Sequence, residues 1–229
     1  MTIEGELQGL RIGEPALGDE VWAELLAGAG VRRVPPRRRV LAPTSPPSVA
    51  VVVHGLVRVF MWTARRTPVT IGYARHGRLV GPGALLSSGK IAAEAVVTST
   101  VALVPADHLR DTLLRRPQAA WTLVEWAQRW YAAALTTAIE GMSAPLSIRV
   151  ARHLLDMSML TPGDETIAPV THQHLADAVG TAREVVTRAL GEFREHGLVI
   201  TRRRHVVLRN PQGMARFAAG QDPLLRDPD

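Results

Sequence analysis

The fold of this chain is decided by one stretch, Thr171-His172-Gln173-His174-Leu175-Ala176-Asp177-Ala178-Val179-Gly180-Thr181-Ala182-Arg183-Glu184-Val185-Val186-Thr187-Arg188. Apolar residues recur at helical spacing between Leu175 and Val179, which predicts a short first helix. Gly180 suits a tight turn, because glycine adopts a left-handed backbone conformation without steric cost. Thr181 and Glu184 have the spacing of a capping box, so Thr181 is predicted to cap a second helix.

The second helix has two chemically distinct sides. Its apolar positions predict a buried side made of Val185, Val186, Ala189, Leu190 and Phe193. Polar residues gather on or beside the free side near the start of the helix: Arg183, Glu184, Thr187 and Arg188. A helix–turn–helix places this end of its second helix against base edges in the major groove of DNA.

A basic hairpin follows the second helix directly. It runs from Leu198 to Leu208 and carries three consecutive arginines, Arg202-Arg203-Arg204, at its tip. A charged first turn alone would be typical of a solvated helical surface. The turn, the arginines and the hairpin together favour a DNA-binding winged helix.

The composition is consistent with this interpretation. The 229 residues are 46% hydrophobic, which is enough for one large or two modest domains. The absence of cysteine excludes disulfides, cysteine nucleophiles, zinc fingers and cysteine-ligated iron–sulfur clusters. The net charge is +6, and residues 171–216 hold eight arginines against four acidic residues. Positive charge concentrated beside a helix–turn–helix is typical of phosphate binding.

Several other classes of protein have no support in the sequence. No apolar run reaches the roughly 18 residues of a membrane span, and residues 1–20 lack a signal-peptide pattern, so we expect a cytoplasmic protein without a membrane partner. No Gly-x-Ser-x-Gly, Walker or His-Glu-x-x-His motif occurs, so we assign no catalytic residue and expect no enzyme. His172 and His174 point to different faces of a helix and predict no metal site. No cofactor is predicted, although haem held by His54, His76 or His108 is kept as an alternative.

The first half of the chain predicts an α+β fold with an N-terminal antiparallel β-roll. Residues 1–18 are expected to form a flexible arm, and residues 19–116 a sensor-like domain. Short β-branched segments alternate with Pro, Gly and Arg turns, which is typical of antiparallel strands. The predicted strands are Arg39–Leu41, Val49–Val53, Leu56–Met61, Val69–Tyr73, Arg78–Val80, Ala95–Val97 and Thr100–Val104. A hairpin turn is predicted at Thr63–Thr67, and a short helix at Ala106–Arg116 with its leucines Leu109, Leu113 and Leu114 facing inward.

A long helix is predicted over residues 117–142. Its first apolar stripe has the alternating three- and four-residue steps of a coiled-coil seam: Trp121, Val124, Gln128, Tyr131, Leu135, Ala138 and Met142. A second apolar stripe consists of Ala120, Leu123, Ala127, Trp130 and Ala134. A helix that is apolar on two sides packs against two surfaces, which we take to be its own β-roll and the same helix of a second chain. The alternative is a single buried core helix.

The remaining segments complete a DNA-binding domain over residues 143–220. A helix is predicted at Leu146–Leu160, with Val150, Leu154, Leu155 and Met157 facing inward. A strand at Thr166–Val170 leads into the helix–turn–helix. A short helix at Gln212–Ala219 follows the hairpin, and residues 221–229 are expected to form a disordered tail.

This order of elements resembles the CRP/FNR superfamily, the family of the cyclic-AMP receptor protein and the fumarate–nitrate reductase regulator. Gly55–Phe60 resembles its Gly-x-Val-x-Val segment, and Ser147–Leu155 resembles the helix that follows its hinge. Val179–Arg188 is similar to its Val-Gly-x-Ser-Arg-Glu-x-Val-x-Arg motif, which is the most specific of the three. The resemblance covers the chain from about Val31 to Phe217.

The resemblance implies a role for each polar residue of the motif. Arg183 and Arg188 would bond guanine and neighbouring base edges, and Glu184 would accept from a cytosine amino group. The phosphate contacts are assigned to Thr171, Gln173, Thr181, Thr187, Arg202 and Arg203. Ala182 departs from the pattern, which usually has a phosphate-binding serine there. The implied DNA is an inverted repeat of TGTGA-like half-sites, bound by a homodimer that could also contact RNA polymerase.

The cyclic-nucleotide pocket is where the chain departs from the family. Gly81–Leu86 resembles the segment Gly-Glu-Leu-Ala, with Pro82 in place of the glutamate that holds the ribose. Ile91-Ala92 replaces the Arg-Ser/Thr pair that holds the phosphate, and Lys90 is interpreted as a solvated loop residue. The degenerate pocket therefore comprises Gly81, Pro82, Ala84, Lys90, Ile91 and Ala92.

These observations predict a homodimeric, sequence-specific transcription regulator that does not bind cyclic AMP in the usual way. No replacement ligand is indicated by the roll sequence, so we expect the free protein to be in its DNA-competent state. Two alternatives are kept: a haem- or other small-molecule-responsive regulator of the same architecture, and a pseudo-sensor module that works mainly through protein partners.

Overall fold

The computed structural model describes residues 15–41, 47–62, 68–81 and 91–221. Their helices are α1 (Asp19–Ala27), α2 (Ala106–Arg115), α3 (Pro117–Ser143), α4 (Leu146–Asp156), α5 (His172–Val179), α6 (Arg183–Glu195) and α7 (Pro211–Ala218). Their strands are β1 (Gly30–Val34), β2 (Arg39–Leu41), β3 (Ser48–His54), β4 (Val57–Trp62), β5 (Pro68–Ala74), β6 (Leu79–Val80), β7 (Ile91–Ala95), β8 (Ser99–Pro105), β9 (Met159–Leu160), β10 (Thr166–Ala168), β11 (Val199–Thr201) and β12 (Val206–Leu208). The chain divides into two compact units, Met1–Thr136 and Thr137–Asp229.

The first unit contains two four-stranded antiparallel sheets, which confirms the predicted β-roll. One sheet has the strand order β1-β8-β3-β6 and the other β2-β7-β4-β5. Strand β3 is buried on both faces, because Ala50 and Val52 pack in the cluster that includes the second sheet, whereas Val49, Val51 and Val53 pack against helices. A strand that is covered on both faces has a continuous apolar sequence, and Val49–Val53 is such a run.

Helices α1, α2 and α3 cover the outer face of the first sheet. Leu25, Leu109 and Trp126 contribute one buried side chain each from the three helices to a shared core. The prediction that Leu114 faces inward is wrong, since 74% of it is exposed. Thr112 takes the buried position instead, and its hydroxyl lies 3.3 Å from Glu24 Oε1 of α1, to which it donates.

Two strands differ from the prediction. Strand β1 was not predicted because it lies at the edge of its sheet and buries only Val34, so it has no readable apolar pattern. Strand β7 covers Ile91–Ala95 rather than Ala95–Val97, and residues 96–98 form the bend that leads to β8. Alanine-rich β7 has low intrinsic strand propensity, and its pairing with β2 on one side and β4 on the other stabilises it.

The second unit contains α4, the helix–turn–helix, α7 and a small antiparallel sheet of order β11-β12-β10-β9. Phe193 of α6 and Phe217 of α7 pack edge to face, with ring centroids 5.3 Å apart. The predicted helix Leu146–Leu160 is too long, because α4 ends at Asp156 and Met159–Leu160 pair with β10 as β9. Leu155 is only half-buried, whereas Val150, Leu154 and Met157 are buried as predicted.

Several predictions lie outside the described residues: most of the N-terminal arm, the hairpin turn at 63–67, and the tail from residue 222 onward. Within the described ranges, no helix is both long and apolar enough to cross a membrane.

Candidate DNA interface

The first helix of the helix–turn–helix is fixed at both ends. Thr171 is its N-cap, and the Thr171 side chain accepts a hydrogen bond from the His174 N–H at 3.3 Å. Gly180 closes the helix with φ 71° and ψ 45°, the left-handed conformation predicted for the turn. The Arg149 guanidinium of α4 donates to the Val179 carbonyl at the end of the same helix. This bond satisfies a carbonyl that has no partner within the helix.

The second helix begins one residue later than the capping-box pattern predicts. The Thr181 N–H donates to the Ala176 carbonyl at 3.0 Å, which holds Thr181 in the turn. Ala182 is the N-cap, and its carbonyl accepts from the N–H groups of Val185 and Val186. The prediction that Thr181 caps the helix with Glu184 is therefore wrong. Glu184 remains in the first turn, where a carboxylate interacts favourably with the positive end of the helix dipole.

The three predicted base-reading residues share an exposed edge of α6. Arg183, Glu184 and Arg188 are all exposed within the first two turns of the helix. The opposite side is buried through Val186, Ala189, Leu190 and Phe193, as predicted, while Val185 is half-buried. Burial of one side fixes the rotation of the helix, and this rotation presents the arginines to solvent.

The helix–turn–helix contains a contact that the sequence analysis missed. His172 Nδ1 of α5 lies 3.0 Å from Thr187 Oγ1 of α6, and that hydroxyl lies 2.9 Å from the Arg183 carbonyl. Burial lowers the pKa of His172 below its usual range, and the positive charge of Arg183 lowers it further. Only the position of His172 directly after the N-cap could have signalled its closeness to the second helix.

The other residues predicted to contact phosphate differ in whether their side chains already bind a carboxylate of this chain. The Gln173 amide donates to Asp177 Oδ1 at 2.9 Å on the same helix. At the wing, Arg202 Nη2 lies 3.5 Å from Glu165 Oε1, and both side chains are about half exposed. Arg203 is exposed at the tip between β11 and β12, as predicted. A phosphate at Arg202 would compete with Glu165, and Arg203 has no such competitor in the part of the chain described.

The predicted seam of α3 is exposed wherever the structure describes its side chains. We call Trp121, Val124, Gln128, Tyr131 and Leu135 the outer stripe. Trp121 is 59% exposed, Val124 54%, Tyr131 60% and Leu135 47%. The second stripe packs inward, with Leu123 buried and Ala120, Ala127 and Trp130 half-buried. The side chains of Ala138 and Met142 lie outside the described part.

The degenerate pocket is described only in part, since Pro82, Ala84 and Lys90 lie outside the described residues. Gly81 and Ile91 line a cavity of about 460 Å³ between the roll and α3. Ala92 is fully buried and faces away from it, because it alternates with Ile91 and Ala93 along β7. Arg78 also lines this cavity and gives it a positive charge that the sequence analysis had not placed there.

The histidines of the first unit do not gather into one site. His54 and His76 stack with centroids 5.7 Å apart, whereas His108 Nε2 lies 3.1 Å from the Glu24 carbonyl. Across the described ranges, no group of three or more metal-binding side chains is found.

Comparison with known proteins agrees with this architecture. Residues 148–217 match the family model of the Crp-like helix-turn-helix domain. The chain is 25% identical over 205 residues to the Lacticaseibacillus casei protein named "Probable transcriptional regulator flp", covering 88% of this chain and 93% of that protein. Its fold is similar to that of the c-di-GMP-responsive global regulator CLP of Xanthomonas campestris, with a TM-score of 0.68 and 22% identity over 84% of this chain and 100% of that one. It is also similar to FixK2 of Bradyrhizobium japonicum, with a TM-score of 0.68 and 23% identity over 86% and 99% of the two chains. The family model assigns a Crp-like helix-turn-helix domain to residues 148–217, and the full-length relative and the shared fold support a transcription regulator of the CRP/FNR type.

Proposed function

We propose that the chain binds an inverted repeat in duplex DNA as a homodimer, with Arg183, Glu184 and Arg188 reading base edges. The observation that carries the proposal is the exposed edge of α6, where these three side chains lie within two turns of a helix whose other side is buried. Two arginines can each bond a guanine in a bidentate way, and a carboxylate can accept from a cytosine amino group. The edge is therefore suited to a G·C-containing half-site such as TGTGA.

Phosphate contacts hold the reading helix in place. We assign them to the N-terminus of α5 with Thr171 and Gln173, to Thr181 and Thr187 beside the reading edge, and to Arg202 and Arg203 of the wing. The N–H groups at the start of α5 point out of the helix, and a helix N-terminus favours an anion. The Thr187 hydroxyl already donates to the Arg183 carbonyl, so it would act on a phosphate only after breaking that bond.

The outer stripe of α3 supports the homodimer. Exposed large apolar side chains that recur along one helix mark an association surface more often than a solvated one. Packing of this stripe against its copy across a two-fold axis would bring two recognition helices to one DNA duplex. Two-fold symmetry then requires an inverted repeat with half-sites about one helical turn apart.

The proposed regulator does not depend on cyclic AMP. The ribose of a cyclic nucleotide needs a hydrogen-bond acceptor, and none of the described residues that line the cavity is acidic. Arg78 could meet a phosphate, but Ile91 occupies the position at which the family resemblance expects an arginine. A single cation without the accompanying acceptors is a poor match for a cyclic nucleotide.

Fluorescence anisotropy with labelled duplexes tests the proposal. A duplex with two TGTGA half-sites in inverted repeat is expected to bind at least tenfold more tightly than a scrambled duplex of equal length, at a fixed salt concentration. Two chains should bind per duplex. Equal affinity for the two duplexes would refute sequence-specific reading, and one chain per duplex would refute the dimer.

A further inference from the structure

The cavity between the roll and α3 has the size of a small-molecule site. Its volume of about 460 Å³ lies inside the range of about 300–1,000 Å³ that is usual for ligand pockets. Both walls belong to the first compact unit, so the cavity does not depend on the placement of the DNA-binding unit.

The walls of this cavity are mainly apolar and include several aromatic side chains. The roll contributes Val59, Val80 and Ile91, and α3 contributes Leu123, Ala127 and two tryptophans, Trp126 and Trp130. Burial of apolar surface against such walls contributes about 25 cal/mol for each Å² removed from water. Aromatic rings gain further through offset or edge-to-face contacts with indole rings.

Gly72 of β5 leaves part of the cavity open. It pairs directly with Val59 of β4, and paired residues of antiparallel strands point to the same face. A Cβ built on Gly72 meets no atom within 4 Å. A side chain at this position would therefore enter empty space on the cavity side of the sheet, which makes Gly72 the natural place to fill the cavity.

Charge defines the chemistry of the ligand further. Arg78 is the only charged residue among the described residues that line the cavity. A ligand with a positive charge would meet this arginine and no acidic partner, whereas one anionic group could pair with it. Nearby polar groups are few, among them the Gln128 amide and the Tyr131 hydroxyl on the outer-stripe side of α3.

We propose that this cavity binds an apolar molecule of roughly two or three aromatic rings carrying at most one negative charge, and not a nucleotide. Val124, Gln128 and Tyr131 line the cavity and also belong to the outer stripe, so an occupant touches the same helix that is proposed to form the dimer. This site goes beyond the proposed DNA binding, because its occupation requires neither DNA nor the second unit.

Two matched dyes test the proposal on the full chain without DNA. The first is 8-anilinonaphthalene-1-sulfonate, which has three aromatic rings and one negative charge. The second is its uncharged parent, N-phenyl-1-naphthylamine. Both are expected to bind saturably at one site per chain, with rising fluorescence, and millimolar cyclic AMP should displace neither. Fluorescence that rises without saturation would overturn the proposal.

Substitutions show where the dye binds and distinguish the effect of filling the cavity from the effect of removing its charge. Gly72→Phe is expected to lower the affinity for both dyes at least tenfold. Val69→Phe, on the exposed part of the same strand, should change both affinities less than twofold. Arg78→Gln should lower the affinity for the sulfonate at least fivefold and the affinity for the uncharged dye less than twofold. Equal affinities of wild type and Gly72→Phe would overturn the site.

The test does not depend on one variant folding. If Gly72→Phe melts at a clearly lower temperature than Val69→Phe, the Arg78→Gln comparison decides. A loss confined to the sulfonate supports the site, and equal affinity for the sulfonate before and after the substitution overturns it. DNA affinity is measured separately, so loss of DNA binding with intact dye binding counts against the regulator proposal alone.

Discussion

His172 Nδ1 and Thr187 Oγ1 lie 3.0 Å apart and join the two helices of the helix–turn–helix. The threonine hydroxyl has one hydrogen and directs it to the Arg183 carbonyl at 2.9 Å. It can therefore only accept from the imidazole, so Nδ1 carries the hydrogen and Nε2 is the atom that gains a proton in acid. The contact links α5 to the helix that carries the proposed base-reading residues.

We expect His172 to make the second unit less stable in acid. Because its pKa is lowered in the folded protein, the unfolded chain binds the proton more readily. Its stabilising contribution is therefore present above the ordinary histidine pKa and is lost as the pH falls through the lowered folded pKa. His172→Asn keeps an N–H donor but does not titrate. Thermal melts between pH 7.5 and 5 should show a smaller loss for this variant than for wild type, and identical losses would contradict the assignment.

Arg183→Ala is expected to abolish sequence preference more than it abolishes binding. A bidentate guanine contact is worth about 1–3 kcal/mol of discrimination. Arg203→Ala serves as the matched control, because it removes one exposed charge from the wing. It should weaken all duplexes about equally and flatten the dependence of log affinity on log salt by about one unit. Similar behaviour of both variants across a panel of duplexes would show that the roles are wrongly divided.

Glu165→Gln is expected to strengthen DNA binding without changing its sequence preference. Glu165 pairs with Arg202 at 3.5 Å, and release of the pair frees the arginine for a phosphate. Exposed ion pairs contribute about 0–1 kcal/mol, so the gain should be at most about fivefold. Glu195→Gln at the end of α6 makes the same charge change outside the Glu165–Arg202 pair. An equal gain in that control would assign the effect to net charge alone.

Leu135→Glu is expected to break the proposed dimer. Leu135 is 47% exposed on the outer stripe, and two new carboxylates near a two-fold axis would repel each other. Leu114→Glu is the matched control, since Leu114 is 74% exposed on α2. Sedimentation at micromolar concentration should give a monomer only for Leu135→Glu, together with weaker binding to the inverted repeat. A wild-type monomer, or a dimer of the variant, would refute the proposed seam.

Cyclic nucleotides are expected to leave DNA binding unchanged. A ligand shifts a conformational equilibrium only by its differential affinity for the two states, and the described cavity wall offers no carboxylate to a ribose. Calorimetry and anisotropy with millimolar cyclic AMP or cyclic GMP provide the measurement. Saturable heat with a micromolar Kd, or DNA binding tightened tenfold by either nucleotide, would contradict the expectation.

The sequence by itself determined the architecture, because periodic patterns report local burial. The continuous apolar run Val49–Val53, the two stripes of α3 and the left-handed Gly180 are each readable from local sequence, and each is found in the structure. The exposed edge of α6 follows in the same way, since its apolar side fixes its rotation.

Only the tertiary structure decided features that depend on residues distant in the chain. Strand β7 is stabilised by pairing with β2 and β4. Thr112 is buried in place of Leu114, because its hydroxyl donates to the Glu24 carboxylate of another helix. Thr181 is not the N-cap, because its N–H donates to the Ala176 carbonyl and holds it in the turn. The contact between His172 and Thr187 and the apolar cavity beside Gly72 likewise come from elements brought together by folding. Local patterns encode which side of an element is buried, but not which side chain from elsewhere arrives to meet it.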